Sequence, residues 1–172
     1  MVVISKVALG VAATLLTLAI GAAAFVGSGV YNIGADDHHT KIVLTLIEQL
    51  RNRSIAVRSK EIDVPNLNDS KGIAAGAQRY AALCIGCHLA PGVTKSEVRT
   101  GLYPHPPNLA EENVDDARKA FWIIKHGIKM SAMPAWGKSL NDAAIWDIVS
   151  FVRQMPMMTP DTYRELSSAA AE

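Results

Sequence analysis

Cys84 and Cys87 stand one helical turn apart with a histidine directly behind them, in the run Cys84-Ile85-Gly86-Cys87-His88. This is the spacing by which two thiols bond to the vinyl groups of one haem while the next imidazole coordinates its iron. A turn between the sulfurs lets both reach the same porphyrin edge and carries the imidazole under the metal. The chain has 2 cysteines, both in this run, and that count weighs against rival chemistries. A structural zinc site needs a second ligand pair, and the sequence offers none. A redox dithiol calls for a strand-helix-strand setting, whereas the flanks GAQRYAAL and LAPG read as helix running into loop. A disulfide would leave His88 without a reason. Covalent attachment of one haem is therefore expected.

The iron's other axial position needs a ligand, and methionine gives a saturated centre of raised potential suited to electron transfer. Of the 6 methionines, Met1 is excluded by position. Met155, Met157 and Met158 follow a strongly periodic helix, where packing or exposure is their expected state. The Met155-Pro156-Met157-Met158 run resembles a thioether site for Cu(I), but without Cys or His it is a poor one. Met130 and Met133 in HGIKMSAMPAWG lie in a loop able to fold across a haem face, and the residues alone leave both open. His38, His39, His105 and His126 are expected on the surface or in packing, His126 at a helix C-terminus where a cationic ring is favoured.

Helices must position these groups. Helical periodicity appears over 71–84, running into the haem motif; over 114–126, with Ala117, Ala120, Phe121 and Ile124 on one face and Gly127 as its stop; and from Ser139 or Asn141 to Gln154, with Ile145, Ile148, Val149 and Val152 as its stripe. Thr159-Pro160 marks the start of a short tail helix. The stretch 89–113 holds Pro91, Gly92, Gly101, Pro104, Pro106 and Pro107 without periodicity. A loop of that length needs something to wrap around, and a haem supplies it. No segment reads as a strand. The expected fold class is all-α: an N-terminal transmembrane helix plus a haem domain of three main helices with long haem-wrapping loops.

With 172 residues and a net charge of +1, the chain has room for one compact domain and an appendage, and nothing invites a nucleic-acid partner. The high apolar content, 49%, is explained by 7–34, which holds no charged residue and exceeds the roughly 20 residues a membrane span needs. A cleavable signal is the rival reading, with Lys6 as basic start and Ala22-Ala23-Ala24 as cleavage site. Apolar character continues past that site through Phe25, Val26, Val30, Tyr31 and Ile33, which favours a retained anchor. The expected organisation is a membrane anchor or uncleaved signal over 1–34, an amphipathic helix and linker over 35–70, the haem domain over 71–158 and a tail over 159–172. Within 35–70, Ile42, Val43, Leu46, Ile47 and Leu50 fall at helical spacing. Arg51, Arg53, Arg58 and Lys60 that follow suit anionic lipid, a partner subunit or plain solvation. The Pro65 region, with its Asn and Asp residues, reads as linker.

The order helix, CIGCH, PPNL, helix, IKMSAMPAWG, helix resembles that of class I cytochromes c, and particularly small bacterial membrane-anchored members associated with oxidases or dehydrogenases. The resemblance covers about 71–155. It implies one covalently bound haem c engaged in one-electron transfer, and not an enzyme acting on substrate. It selects Met133, directly before Pro134-Ala135-Trp136, as the sixth ligand and leaves Met130 to packing. It gives the Pro107 carbonyl as acceptor for the second ring nitrogen of His88, places Leu109 against the haem, and makes Gly76 and Tyr80 the close-packing positions near Trp146, Val149 and Phe151. Trp122 and Trp136 are expected to border the haem and, with Arg99 or Tyr103, to offer donors to its propionates. Haem attachment outside the cytoplasm in such cytochromes implies a single-pass protein of the inner (cytoplasmic) membrane with its haem domain in the periplasm. The implied partners are redox proteins, namely a membrane oxidase, a dehydrogenase or a quinol-oxidising complex, together with membrane lipid. Lys125, Lys129 and Lys138 flank the Met133 loop as docking cations. The alternative function is a gas-binding or peroxidase-like haem with an open sixth position.

Overall fold

The computed structural model describes residues 2–168; Met1 and 169–172, the end of the expected tail, lie outside the described residues. The chain divides into two compact units, Met1–Asp37 and His38–Glu172.

The first unit is built on α1 (Val2–Ser28). Over Ser5–Ser28 its mean hydropathy is 2.2 and none of it is buried, so by length and composition it is able to cross a membrane. The helix stops at Ser28, short of the end of the uncharged stretch, because Gly29 takes a φ of 64° and the Ser28 hydroxyl accepts from the Val30 N–H.

Among its described residues the second unit's regular elements are all helices, joined by long loops, with one isolated bridge between Ala90 and Val93. It comprises α2 (Lys41–Arg58), α3 (Ser70–Leu83), α4 (Ile85–His88), α5 (Glu97–Thr100), α6 (Ala117–His126), α7 (Asp142–Val152) and α8 (Pro160–Ser168). The starts of α2, α3, α6 and α7 are fixed by side-chain caps: Thr40 accepts from Val43 N–H, Asp69 from Gly72, Asp116 from both Arg118 and Lys119, and Asn141 from Ala144. The Asp116 cap is why α6 begins at Ala117 and not at 114.

α3 crosses α7 at van der Waals contact. A Cβ on Gly76 would lie 2.1 Å from the Asp147 carbonyl oxygen and 3.0 Å from the Phe151 Cβ, so only glycine permits the crossing. Tyr80, Phe151, Ile148 and Met155 fill one core cluster and Ile145, Val149, Phe121 and Leu67 another. Burial on this scale stabilises by about 2 kcal/mol per large side chain. Two segments do more than the sequence suggested. Leu67, in the presumed linker, is buried in the second cluster. Tyr163 of α8 is buried against Phe151, ring centroids 6.1 Å apart, so the start of the tail closes the core.

Candidate haem site

α3 ends at Cys84, whose ψ of −30° at φ −120° breaks the helix, and α4 restarts as a single separate turn. Cys87 N–H and His88 N–H both donate to the Cys84 carbonyl, at 3.1 and 2.9 Å. The two thiols therefore sit one turn apart, and neither is in a disulfide. Burial, helped by the neighbouring Cys87, pushes the Cys84 thiol up to about 12. That is the opposite of the thiolate a redox dithiol requires.

His88 is held on two sides by the Pro107-Asn108-Leu109 turn. Its Nδ1 is 3.0 Å from the Pro107 carbonyl; a carbonyl only accepts, so Nδ1 carries the proton and Nε2 keeps its lone pair. Leu109 N–H donates to the His88 carbonyl at 3.1 Å, while the Leu109 side chain packs on the first core cluster. Burial holds the His88 ring below its ordinary pKa against the opposing pull of the Pro107 bond, which favours the neutral imidazole a metal needs. The turn is braced by Asn108, whose side chain accepts from Ala110 N–H at 3.2 Å and whose N–H donates to Glu112 Oε1 at 2.9 Å.

Three side chains here make contacts not foreseen from sequence. Tyr80 donates its hydroxyl to the Leu89 carbonyl at 2.6 Å, fixing the residue after His88, which sits at φ 60°, ψ −174°. Ser96 donates to the Gly86 carbonyl. Arg99, expected at a propionate, donates Nη1 to the carbonyls of Cys87, at 3.2 Å, and Pro106. It thus ties the haem motif to the proline loop, for which its planar multi-donor head is suited.

The second half of the site grows from the end of α6. Gly127 turns the chain at φ 65°, ψ −169°, and a Cβ there would lie 2.7 Å from the Met133 carbonyl oxygen. Ile128 N–H donates to that carbonyl at 3.2 Å, and Ser131 Oγ bridges by donating to Ile128 O at 2.8 Å and accepting from Met133 N–H at 3.2 Å. The two loop methionines separate: Met133 is half-buried, whereas Met130, at φ 56°, is fully exposed at 106%. Trp136 is half-buried and opens a 3-10 turn, Trp136–Lys138. That turn is pressed on α6, since a Cβ on Gly137 would lie 2.8 Å from the Lys125 carbonyl oxygen.

Other candidates find different partners. Lys125 pairs with Asp142 at 2.7 Å and lies 5.4 Å from the Phe121 ring centre, so it is not a free docking cation, while Lys129 and Lys138 are exposed. Tyr103 stacks on His38, centroids 4.0 Å apart, and Trp122 tilts against His126 at 4.9 Å. His105 donates from Nδ1 to the Arg99 carbonyl at 3.1 Å. Met155 is fully buried and Met157 80% exposed, a division that does not gather the C-terminal methionines around a copper ion.

Two thiols free to alkylate, one turn apart, and an adjacent neutral imidazole with Nδ1 engaged fit the attachment and ligation of a haem on an all-helical scaffold. This is the donor set of a c-type cytochrome. Residues 71–152 match the family model described as cytochrome C oxidase, cbb3-type, subunit III, and the region is a class I c-type cytochrome domain. No curated protein and no solved structure matches the chain. The domain carries covalently bound haem c and its work is haem-based electron transfer.

Proposed function

We propose that the chain is a single-haem electron carrier or electron-entry subunit, tethered by α1 to the inner membrane with its haem domain in the periplasm. Cys84 and Cys87 carry the thioether links, His88 and Met133 are the axial ligands, and Pro107, Leu109 and Trp136 border the haem. Bound haem supplies one-electron cycling of its iron between ferric and ferrous states. The chain's part is to hold both ligands and exclude water so that little rearranges between those states. The observation that carries the reading is the His88 Nδ1 to Pro107 carbonyl contact of 3.0 Å, which fixes the imidazole's tautomer and orientation. The Ile128, Ser131 and Met133 bonds and the half-burial of Met133 support it as the sixth ligand over Met130. The family description names an oxidase subunit, which favours a membrane oxidase over a dehydrogenase or a quinol-oxidising complex as partner. The uncharged α1 supports anchoring in membrane lipid.

Carbon monoxide tests the ligation. A ferrous protein with both axial positions filled leaves carbon monoxide unbound at neutral pH, and a pyridine haemochrome assay gives one haem per chain. Rapid carbon monoxide binding would instead support the gas-binding or peroxidase-like alternative.

A further inference from the structure

α2 is apolar on two opposite sides. Towards the domain it buries Ile55 and half-buries Leu44, and its C-cap Ser59 is buried as well. On the other side Ile42, Leu46, Leu50 and Val57 recur at helical spacing and are 74, 60, 73 and 57% exposed. That stripe runs about 22 Å along the helix. A helix that only packs on its own domain needs one apolar face, and solvated single-helix surfaces are polar. The outward stripe lies on a convex helix and not in a groove, so it suits a broad fluid surface better than an inserted peptide. Lys41, Arg53 and Lys60 are exposed, Arg53 beside the stripe, where a long basic stem can lie along lipid while its head reaches phosphate. Arg51 is instead half-buried and pairs with Glu48 at 3.9 Å, and Arg58 bonds back to the Ser54 hydroxyl at 2.9 Å. Chain length adds a constraint: only 29–40 separate α1 from α2, a reach of at most about 40 Å.

We propose that the outward face of α2 lies on the anionic lipid surface of the membrane that α1 enters, so that the haem domain is held at the bilayer by two elements. The inference rests on the anchoring reading of α1. The helix then sits in the interfacial plane, its stripe among the upper acyl chains and Lys41, Arg53 and Lys60 at the headgroups.

The test uses full-length holoprotein reconstituted alone in phosphatidylglycerol–phosphatidylcholine vesicles, with nitroxide spin labels placed singly through Leu16→Cys, Leu50→Cys and Asn52→Cys. Accessibility to oxygen and to a water-soluble nickel chelate is read for each. The label at Leu50 is expected to show an oxygen-to-nickel ratio several-fold above that at Asn52, as the label at Leu16 within α1 also does. A Leu50 label as open to nickel as Asn52, with Leu16 still in hydrocarbon, overturns the inference and leaves the anchor standing. A Leu50 label shielded from both reagents overturns it in favour of a second copy of the chain on this face. A Leu16 label open to nickel overturns the anchor, and this inference with it.

Discussion

Leu89 and Gly127 occupy the same unusual backbone conformation on the two sides of the site. Leu89 has φ 60°, ψ −174°, and Gly127 has φ 65°, ψ −169°. This region is essentially open only to glycine and costs another residue about 1–3 kcal/mol. On the Met133 side the chain meets that demand with glycine, so the turn at Gly127 carries no such strain, and the loop's non-glycine left-handed residue is the exposed Met130 at φ 56°. On the His88 side it places a leucine there, and the surroundings impose the strain: Leu89 is buried, its N–H donates to Ile85 O at 3.0 Å and its carbonyl accepts from Tyr80. The contrast assigns different tasks to the two halves. The His88 half is over-determined, with Arg99, Ser96 and the Pro107-Asn108-Leu109 turn all bonded to the haem motif. The Met133 half is a short loop closed by Ile128, Ser131 and two close-packed glycines, with Met130 in solvent.

Substitutions separate the halves, beginning with the largest effect. Gly127→Ala adds both the forbidden dihedral and a Cβ 2.7 Å from the Met133 carbonyl oxygen. It should destabilise the ferric protein by roughly 3 kcal/mol in denaturant unfolding and weaken methionine ligation while covalent haem is retained. Equal loss of covalent haem would mean that the two halves are not independent. At Leu89 the usual ranking of small residues should invert. Alanine keeps the strain and loses the buried side chain, whereas glycine loses the side chain and the strain together. Leu89→Gly should therefore be the more stable variant by about 1–2 kcal/mol, and the reverse order would remove strain from the comparison.

Tyr80→Phe leaves the buried Leu89 carbonyl without its donor, an expected loss of about 1–2 kcal/mol, with the methionine signal of the other half unchanged. The smallest effect belongs to the α6 cap. Partial burial would raise the Asp116 pKa, but the Lys119 N–H and ammonium and the Arg118 N–H prevail and hold it below the ordinary carboxylate range. Its contribution is then present above the unfolded-state pKa and is lost as pH falls through the folded one. Asp116→Ala should cost about 1 kcal/mol at neutral pH, and the gap to wild type should close under acid.

Much of this was legible because the carriers are local. A haem motif, an uncharged run, cap residues and period-3.6 stripes are each read within a few residues, and they placed α3, α6, α7 and the start of α8 closely. The Pro107 and Met133 assignments came from a resemblance in motif order, since nothing local to either residue announces its partner. What escaped depends on long-range contact. Leu67 looked like linker because a single apolar residue beside Pro65 carries no period, and it is buried only because the second core cluster needs it. Arg99 reads as a propionate donor until the fold brings the Cys87 and Pro106 carbonyls to it, and Lys125 as a docking cation until α7 brings Asp142. The strain at Leu89 is invisible in sequence, because a leucine there advertises no special dihedral.

The account turns on which methionine completes the iron's coordination, and the near-infrared charge-transfer band of ferric methionine-ligated haem reports it directly. The prediction is that Met130→Ala retains the band and leaves the ferrous protein inert to carbon monoxide, whereas Met133→Ala loses the band and binds carbon monoxide. A Met133→Ala protein that keeps the band, or a wild type without one, would contradict it.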